Sequence, residues 1–365
     1  MRQPRSIRVM SAARLPRTGR YGLLAGTAFA AFLALVSCSS SPAANPGPAA
    51  NGKSGAPVNV NLVLDWTWQP YHVPFMYGIA HGIYKAHGIN LTLTQGQGSS
   101  TTATLVGQDK YPFGFADTST AVIAQSKSVP IKNVMVIQQR GAFATECFKS
   151  AHVTSPAGLK GHSVIMIPSE STAQIWPAYL AANQLSAGSI HVVNASVTNK
   201  VTLFVAHKAD CMAGLLGEDT LQASLANKGI GAPMAWADSG IKLFGYSIIA
   251  SDSVISGQPS LVKNFVAATA QAWHESCGDQ PAAVALFEKM YPNLSKTAAD
   301  KTYNTDNFQA ACAQLQPPSG VQTTPLGPSS PAQWQTTVAT LEKYAGLSKS
   351  QPATAYYTNK FAAGS

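Results

Sequence analysis

The segment LDWTWQPYH places a carboxylate, three large aromatic rings and an imidazole directly after an apolar strand. The carboxyl ends of strands are where open α/β sheets bind ligands. There Asp65 can accept hydrogen bonds from an amine or a ring N–H. Trp66 and Trp68 point the same way in an extended segment and can stack on a flat ring, and Tyr71 and His72 can hydrogen-bond it. The segment therefore predicts part of a binding cleft.

Each of these side chains also has an ordinary structural role open to it. Asp65 could instead cap the next helix or form a salt bridge at a hinge. One of the two Trp side chains could pack in the core, and a single His such as His72 is more often structural or solvated.

Short polar side chains recur where other predicted strands meet helices. Gly96 and Gly98 let the backbone approach a ligand closely, and the free N–H groups of a helix start suit an anion or a polar ring edge. The same side chains also serve as ordinary N-caps, a role compatible with ligand contact. The candidates in these turns are Ser99, Ser100, Thr101, Asp117, Thr118, Ser169, Ser171 and Thr172.

The sequence lacks the motifs of common catalytic and metal sites. It contains no GxSxG, HExxH or Walker A motif, and no GxGxxG after a strand. It also has no CxxC or Cys/His spacing typical of zinc. We therefore expect a binding protein without catalytic residues, metal or cofactor.

Strands and helices alternate along the chain, which predicts βαβ units on parallel sheets. The pattern restarts near residue 163 and becomes mostly helical after residue 251. A second α/β unit inserted into the first explains this order. The predicted strands are 58–64, 89–94, 112–116, 132–139, 163–168, 190–195, 210–216 and 246–251, and the first predicted helix is 73–88.

The expected organisation is two α/β domains and a two-crossing hinge. Domain I combines 58–140 with 245–365, whose end is a helical tail, and domain II is 141–244. The crossings fall near 139–145 and 237–246. Ligands favour such interfaces between domains.

The N-terminal residues are typical of an export signal. Residues 1–37 contain six Arg and no acid, and the apolar run 22–36 is shorter than the ~20 residues of a membrane span. The following LVSC resembles a bacterial lipobox, which implies cleavage before Cys38 and lipidation of its thiol. Residues 38–57 then form a flexible tether. The alternatives are an uncleaved anchor or a plain signal with a free Cys.

Much of the chain's positive charge belongs to that signal. The sequence has 25 basic and 16 acidic residues, a net charge of +9. Without the six Arg the balance is 19 against 16, or +3. Arg140 is the one Arg outside the signal, and no basic stripe interleaved with aromatic residues is present. The sequence thus gives no reason to expect nucleic acid as a partner.

Four Cys follow Cys38, in a compartment where disulfides persist. We favour the pairs Cys147–Cys211 and Cys277–Cys312, because each pair then lies within one predicted domain. Free buried thiols are the alternative.

Residues 64–120 resemble the opening of substrate-binding proteins of the SsuA/THI5-like (NMT1) family, and SPAGLKGHSVIM, 155–166, resembles the segment that opens their second domain. The likeness covers about residues 58–250. It implies a type II-like periplasmic-binding-protein fold that closes on a small molecule for an ABC importer. LDWTWQPYH is most similar to the branch that binds thiamine-precursor pyrimidines. In that branch an acidic residue meets the aminopyrimidine, which makes Glu218 the candidate here and favours Trp66 for stacking.

The expected function is therefore that of an extracytoplasmic solute-binding lipoprotein. It would be a monomer, anchored by lipid on Cys38 to the outer face of the bacterial cytoplasmic membrane, and would deliver its heterocycle to a permease with an ATPase. The first alternative is a binding protein for alkanesulfonate, taurine or nitrate, with Arg140 as a clamp or a hinge ion pair. A pyrimidine-synthase-like enzyme, whose Cys cluster is missing here, and a non-transport surface lipoprotein are further alternatives.

Overall fold

The computed structural model describes residues 56–321, 323–347 and 351–362. The predicted signal peptide, most of the tether and the lipidation at Cys38 lie outside these ranges. Across the described ranges, no helix combines the length and the hydropathy that a bilayer crossing needs.

The strands of the described residues form two five-stranded sheets. The first, sheet A, has the order β2-β1-β3-β10-β4, and the second, sheet B, has the order β7-β6-β8-β5-β9. The strands are β1 (Val58–Val63), β2 (Ile89–Thr94), β3 (Phe113–Asp117), β4 (Ile131–Val136), β5 (Phe143–Cys147), β6 (Ser163–Met166), β7 (His191–Asn194), β8 (Cys211–Leu215), β9 (Met234–Ala235) and β10 (Tyr246–Ser251).

Helices cover both faces of each sheet and make up most of the chain after β10. They are α1 (Val73–Ala80), α2 (Ile83–Ala86), α3 (Ser99–Gly107), α4 (Thr118–Ser126), α5 (Ser171–Ala182), α6 (Lys200–Val205), α7 (Asp219–Ala226), α8 (Asp252–Gly257), α9 (Pro259–Gly278), α10 (Gln280–Met290), α11 (Ala298–Ala313) and α12 (Pro331–Ala345).

Both sheets are mixed, so the expectation of parallel sheets was wrong in one respect. The strands β1, β2 and β3 are parallel to one another, as are β6, β7 and β8, but β10 is antiparallel to β3 and β4, and β5 is antiparallel to β8. In each sheet the reversed strand is the first one after the chain crosses over from the other sheet. A crossing chain enters the new sheet from the side of the shared cleft, which reverses its direction.

Alternate residues of the central strands enter different cores. In β1, Leu62 packs under α1 and α9, whereas Val63 packs on the opposite face with α3. In β8, Ala213 belongs to a core with α5 and α12, and Met212 to one with α6 and α7. Because both faces are covered by helices, consecutive residues at these positions are apolar and buried.

Three other expectations needed correction. The helix expected over 73–88 ends at Ala80 and restarts at Ile83, after Gly82. The strand β5 lies where only a crossing was expected, because its FATEC sequence includes a buried acid, Glu146, that hides its apolar character. Helix α8 precedes the first helix expected in this part of the chain, 259–276, and was missed because it is only six residues long.

The helical tail contacts elements of both sheets. Helices α9 and α10 pack against α1, while α12 packs mainly against α5 and also touches α4. Backbone hydrogen bonds join Asn133 in β4 to Tyr356 and Thr358 near the C-terminus. The last part of the chain therefore covers the junction between the two sheets.

Two disulfides join the four Cys of the described residues. Cys147 in β5 is bonded to Cys211, its directly opposed partner in β8, and Cys277 at the end of α9 is bonded to Cys312 in α11. These are the pairs that the sequence favoured. Each disulfide closes a long loop, of 64 and 35 residues, so each removes many conformations of the unfolded chain.

Glu146 is expected to make the stability of the fold depend on pH. It is fully buried, one carboxylate oxygen has no hydrogen-bond partner, and burial and the nearby Asp219 raise its pKa from 4.5 to about 8. The folded protein therefore holds a proton that the unfolded chain releases near pH 4.5, so stability falls between that pH and about 8. At about 1.4 kcal/mol per pKa unit, we expect Glu146→Gln to raise the free energy of unfolding by about 2–4 kcal/mol at alkaline pH and hardly at all in mild acid.

Urea unfolding at several pH values measures this difference. The same substitution at the partly exposed Glu288 of α10 is the control, and it should leave the pH profile unchanged. A stability gain of Glu146→Gln that does not vary with pH would show that Glu146 is not protonated in the fold.

Candidate ligand site between the two sheets

Strand ends of both sheets meet around a small polar cavity. Its walls come from the residues just after β1, β6 and β8, the start of α3 and the first residue of β10, which reaches the same edge because β10 runs in the reverse direction. The cavity has a volume of about 20 Å³, room for about one water molecule. The lining residues are Asp65, Trp66, Gln69, Tyr71, Ser99, Glu170, Ser171, Thr172, Leu215, Glu218, Asp219, Tyr246 and Tyr303.

Asp65 is held rigidly by its own segment. The Tyr71 hydroxyl donates to Asp65 Oδ2 at 2.9 Å, and His72 Nε2 lies 2.8 Å from Asp65 Oδ1. The backbone N–H of Gln69 donates to His72 Nδ1 at 3.2 Å, so this nitrogen is unprotonated and the proton of the neutral ring is on Nε2. His72 therefore donates to Asp65 from behind the cavity wall and fixes the direction of the carboxylate.

Tyrosine rings form the apolar part of the wall. Tyr71 and Tyr246 stack with their centroids 5.5 Å apart, and the Tyr246 hydroxyl donates to Glu218 Oε2 at 3.3 Å. Tyr303, from helix α11, donates to Gln69 Oε1 at 2.8 Å. Burial raises the pKa of all three phenols well above the usual value, and the neighbouring carboxylates raise it further. The phenols are thus neutral donors.

Four carboxyl groups line the cavity, and a single buried ammonium faces two of them. Lys200 Nζ donates to Glu170 Oε2 at 2.6 Å and to Asp219 Oδ2 at 3.0 Å. Burial alone would lower the pKa of Lys200, but these two acids raise it, so the ammonium is retained. Asp65 and Glu218 have no ammonium partner among the described contacts.

Among the acids that line the cavity, Glu218 has the environment that a bound cation would stabilise most. Its burial and the negative charges of Asp65 and Asp219 raise its pKa well above the usual value, against the hydrogen bond from Tyr246. A cationic or strongly donating group placed between Glu218 and Asp65 would relieve this repulsion. The geometry therefore suits an amine or a protonated ring nitrogen.

Helix α11 links the two sides of the cavity. The Asn307 side chain accepts a hydrogen bond from the backbone N–H of Tyr71 at 2.9 Å and donates one to the carbonyl of Gly217 at 2.7 Å. The first contact lies beside Asp65 and the second beside Glu218. Asn307 therefore holds the two acids in a fixed relation.

A second link joins the turns before α3 and α5. The backbone N–H of Ser100 donates to the Ser169 carbonyl at 3.1 Å, and the Ser169 hydroxyl donates to the Gln97 carbonyl at 2.6 Å. Gly98 has φ +105°, and a Cβ there would collide with the Ser169 backbone. This turn thus needs glycine to let the halves approach, and its hydroxyls serve that contact.

The structure places seven of the fourteen sequence candidates on the cavity wall. These are Asp65, Trp66, Tyr71, Ser99, Ser171, Thr172 and Glu218. Trp68 lines a neighbouring cavity, and His72 lies behind Asp65.

The remaining candidates make local or inter-turn contacts. Ser100 and Ser169 join the two turns described above. Thr101 bonds the Gln97 carbonyl and Thr118 the Gly245 carbonyl. Asp117 caps α4 by accepting a hydrogen bond from the Thr120 N–H at 2.7 Å. It also lines another small cavity together with Glu218. Burial raises the pKa of Asp117 to about 7.

Six lining residues were missed by sequence reasoning. Glu170 and Asp219 stood inside the two turns already singled out, beside the chosen Ser171 and Glu218, and their acidic character was the available signal. The other four carry no pattern that separates them from ordinary core or surface residues: Gln69, Leu215, Tyr246 and Tyr303.

The alternative of Arg140 as an anion clamp finds no support in the contacts. Arg140 does not line the cavity, and its guanidinium donates to the carbonyl of Ala313 at 2.8 Å. Among the described residues, no group of three or more His, Cys, Asp and Glu side chains is arranged to hold a metal ion.

Two α/β sheets whose strand ends meet across a polar cleft define the fold of the periplasmic binding proteins. The chain belongs to the NMT1/THI5-like family, whose sequence pattern matches residues 69–283, more than half of the chain. The family predicted from the sequence is thereby confirmed, and its pyrimidine branch stays a prediction. No curated protein matches the sequence.

Solved structures share the fold at low sequence identity. The alkanesulfonate-binding protein SsuA of Xanthomonas axonopodis pv. citri, bound to MOPS, has a TM-score of 0.64 at 15% identity and covers 83% of this chain and 99% of its own. The periplasmic aliphatic sulphonate binding protein SsuA of Escherichia coli has a TM-score of 0.61 at 14% identity and covers 83% and 92%. A Candida albicans protein described as having the generic periplasmic binding protein fold scores 0.52 at 12% identity and covers 79% and 95%. These likenesses show the fold alone.

Proposed function

We propose that this protein is the extracytoplasmic solute-binding component of an ABC importer, and that it captures a small amine-bearing heterocycle such as a thiamine-precursor pyrimidine. The observation that carries the ligand class is the cavity wall, where Asp65 and Glu218 face the tyrosine rings without a cationic partner. Family membership and the two-sheet fold support the role in import. Domain I and domain II would be the two halves that close on the ligand.

The charge of the cavity argues against the anions named as alternatives. A sulfonate or nitrate site needs donors and positive charge, but four carboxyl groups line this cavity and its nearby ammonium is already paired with Glu170 and Asp219. An additional anion would meet net repulsion in a poorly solvated space. An amine is attracted instead, because it brings a positive charge and hydrogen-bond donors to Glu218, which has no ammonium partner among the described contacts.

Binding would act through the equilibrium between open and closed arrangements of the halves. The cavity is too small for a heterocycle as it stands, so a ligand must enter when the halves are apart. Contacts from the ligand to Asp65 on one side and Glu218 on the other then favour closure by differential affinity. The closed complex would dock on the permease, and lipid on Cys38 would hold the protein at the membrane.

A thermal unfolding panel tests this function. We expect 4-amino-5-aminomethyl-2-methylpyrimidine to raise the unfolding temperature by several degrees, because a ligand at a hundred times its Kd adds about 2.7 kcal/mol. Affinity should rise with pH for as long as the ligand amine stays protonated, because the raised pKa of Glu218 means that its carboxyl group ionises only at higher pH, and the anion attracts the ammonium.

Alkanesulfonates, taurine, nitrate and Ca²⁺ are the comparison compounds and should leave the unfolding temperature unchanged. A shift with a sulfonate alone would replace the proposal with the anion alternative. A shift with Ca²⁺ alone would identify the acids as a metal site instead.

A further inference from the structure

A second, larger cavity adjoins the acidic one and has no role in the function proposed so far. Its volume is about 550 Å³, within the range of small-molecule sites. It too lies between the halves, because Trp66 and Trp68 line one side and Lys200 and Val201 of α6 the other.

One wall of this outer cavity carries a pair of large aromatic rings. The rings of Trp68 and Tyr291 stack with centroids 5.2 Å apart and an interplanar angle of 25°. Both also pack on the buried cluster around Phe287 and Phe308, and the Trp68 backbone is tied to the Gln95 side chain at 3.1 Å. The rings are therefore held in place before any ligand arrives, which suits stacking on a planar group.

The rim of the same cavity exposes apolar side chains. Met290 and Leu294 are 47% and 43% exposed, and they are two of only five large apolar side chains so exposed in the described part of the chain. Their clustering at one cavity marks an apolar patch with a polar surround, which is typical of a binding surface.

The two cavities adjoin each other and share wall residues, which places both within reach of one elongated molecule. Trp66, Gln69 and Asp219 line the inner and the outer cavity alike. The inner cavity admits about one water-sized group, whereas the outer one has room for a ring system. An amine fits the first, and a planar apolar group fits the second.

We propose that the ligand is elongated, with an amine-bearing end in the acidic cavity and a further aromatic ring packed against the Trp68–Tyr291 pair in the outer cavity. The position of the amine end rests on the proposed function, whereas the ring subsite is inferred from the outer cavity alone. A single-ring aminopyrimidine would thus fill only part of the site.

The test compares two probes that differ only in the extension. The first is 4-amino-5-aminomethyl-2-methylpyrimidine, and the second is the same compound with a benzyl group on the aminomethyl nitrogen. By calorimetric titration, we expect the benzyl compound to bind about tenfold more tightly to the native protein. Trp68→Leu and Tyr291→Leu should remove that advantage and leave the affinity for the first probe unchanged, because leucine keeps apolar volume but not a flat face.

Tyr77→Leu is the matched control, since Tyr77 packs on the same cluster without lining the cavity, and it should preserve the tenfold advantage. Equal binding of the two probes to the native protein would overturn the ring subsite and leave the proposed function intact. Equal loss of both probes in Trp68→Leu would also overturn it, because the residue would then act on the whole site. Failure of both probes to bind the native protein would overturn the proposed function and the elongated ligand together.

Discussion

Replacing Glu218 with Gln is expected to weaken the binding of an amine-bearing pyrimidine about 10- to 100-fold. The substitution keeps the shape of the side chain and its contact with the Tyr246 hydroxyl but removes the negative charge. A hydrogen bond to a charged group contributes about 1.5–3 kcal/mol, and about 1.4 kcal/mol is tenfold in affinity. Titration calorimetry on the native protein and the variant measures the difference directly.

The variant should also lose most of the pH dependence of binding, because Glu218 is the acid whose late ionisation produces it. Asp306→Asn is the control. It removes the same charge from an exposed position of α11, the helix that supplies Tyr303, and should change the affinity less than twofold. Native affinity in Glu218→Gln would remove this acid from the site. An equal loss in both variants would indicate general attraction rather than a specific contact.

Removing the Cys147–Cys211 disulfide is expected to lower the free energy of unfolding by about 4 kcal/mol. The bond closes a loop of 64 residues, and the loss of unfolded-state entropy for a loop of that length gives this magnitude. Alanine at both positions avoids leaving polar groups or a free thiol in a site where both cysteines are buried. Urea unfolding followed by circular dichroism provides the measurement.

The fraction that stays folded should still bind ligand, because the disulfide lies at the far end of β8 from Leu215 and the acidic turn. Treatment with dithiothreitol is the control. It should lower the free energy of unfolding more in the native protein, which loses two disulfides, than in the double variant, which loses only the Cys277–Cys312 bond. A loss below about 1 kcal/mol would mean that the unfolded chain is already restricted in this region, contrary to the entropic argument.

The likeness to sulfonate-binding proteins and the acidity of the cavity lead to different ligands. At 15% identity, the likeness to sulfonate-binding proteins concerns the path of the backbone, whereas the acidity of the cavity comes from side chains at the strand ends. A fold of this kind can carry many ligand classes, because the turns that line the cleft change without disturbing the sheets. The proposed function therefore follows the side chains, which favour an amine over an anion.

The order of strands and helices followed from local patterns. Most central strands are short apolar runs between turn residues, and β10 has the bounds expected from the sequence. Strand direction did not follow, because the same apolar run satisfies a parallel or an antiparallel neighbour. The buried Glu146 concealed β5 for a related reason: its burial depends on a tertiary environment that no local pattern records.

The sequence by itself determined the family, the alternation of elements and the turns in which polar side chains gather. Residues such as Asp65 and Glu218 could be chosen because a strand end has a known place in such sheets. Only the tertiary structure decided that Lys200 contacts Glu170 and Asp219 while Glu218 has no ammonium partner among the described contacts. It also decided that Tyr303 and Asn307 reach the cavity from the helical tail. The reason is physical: secondary structure depends on neighbours within a few residues, whereas the charge balance of this cleft depends on groups as far apart in the chain as Asp65 and Asp219.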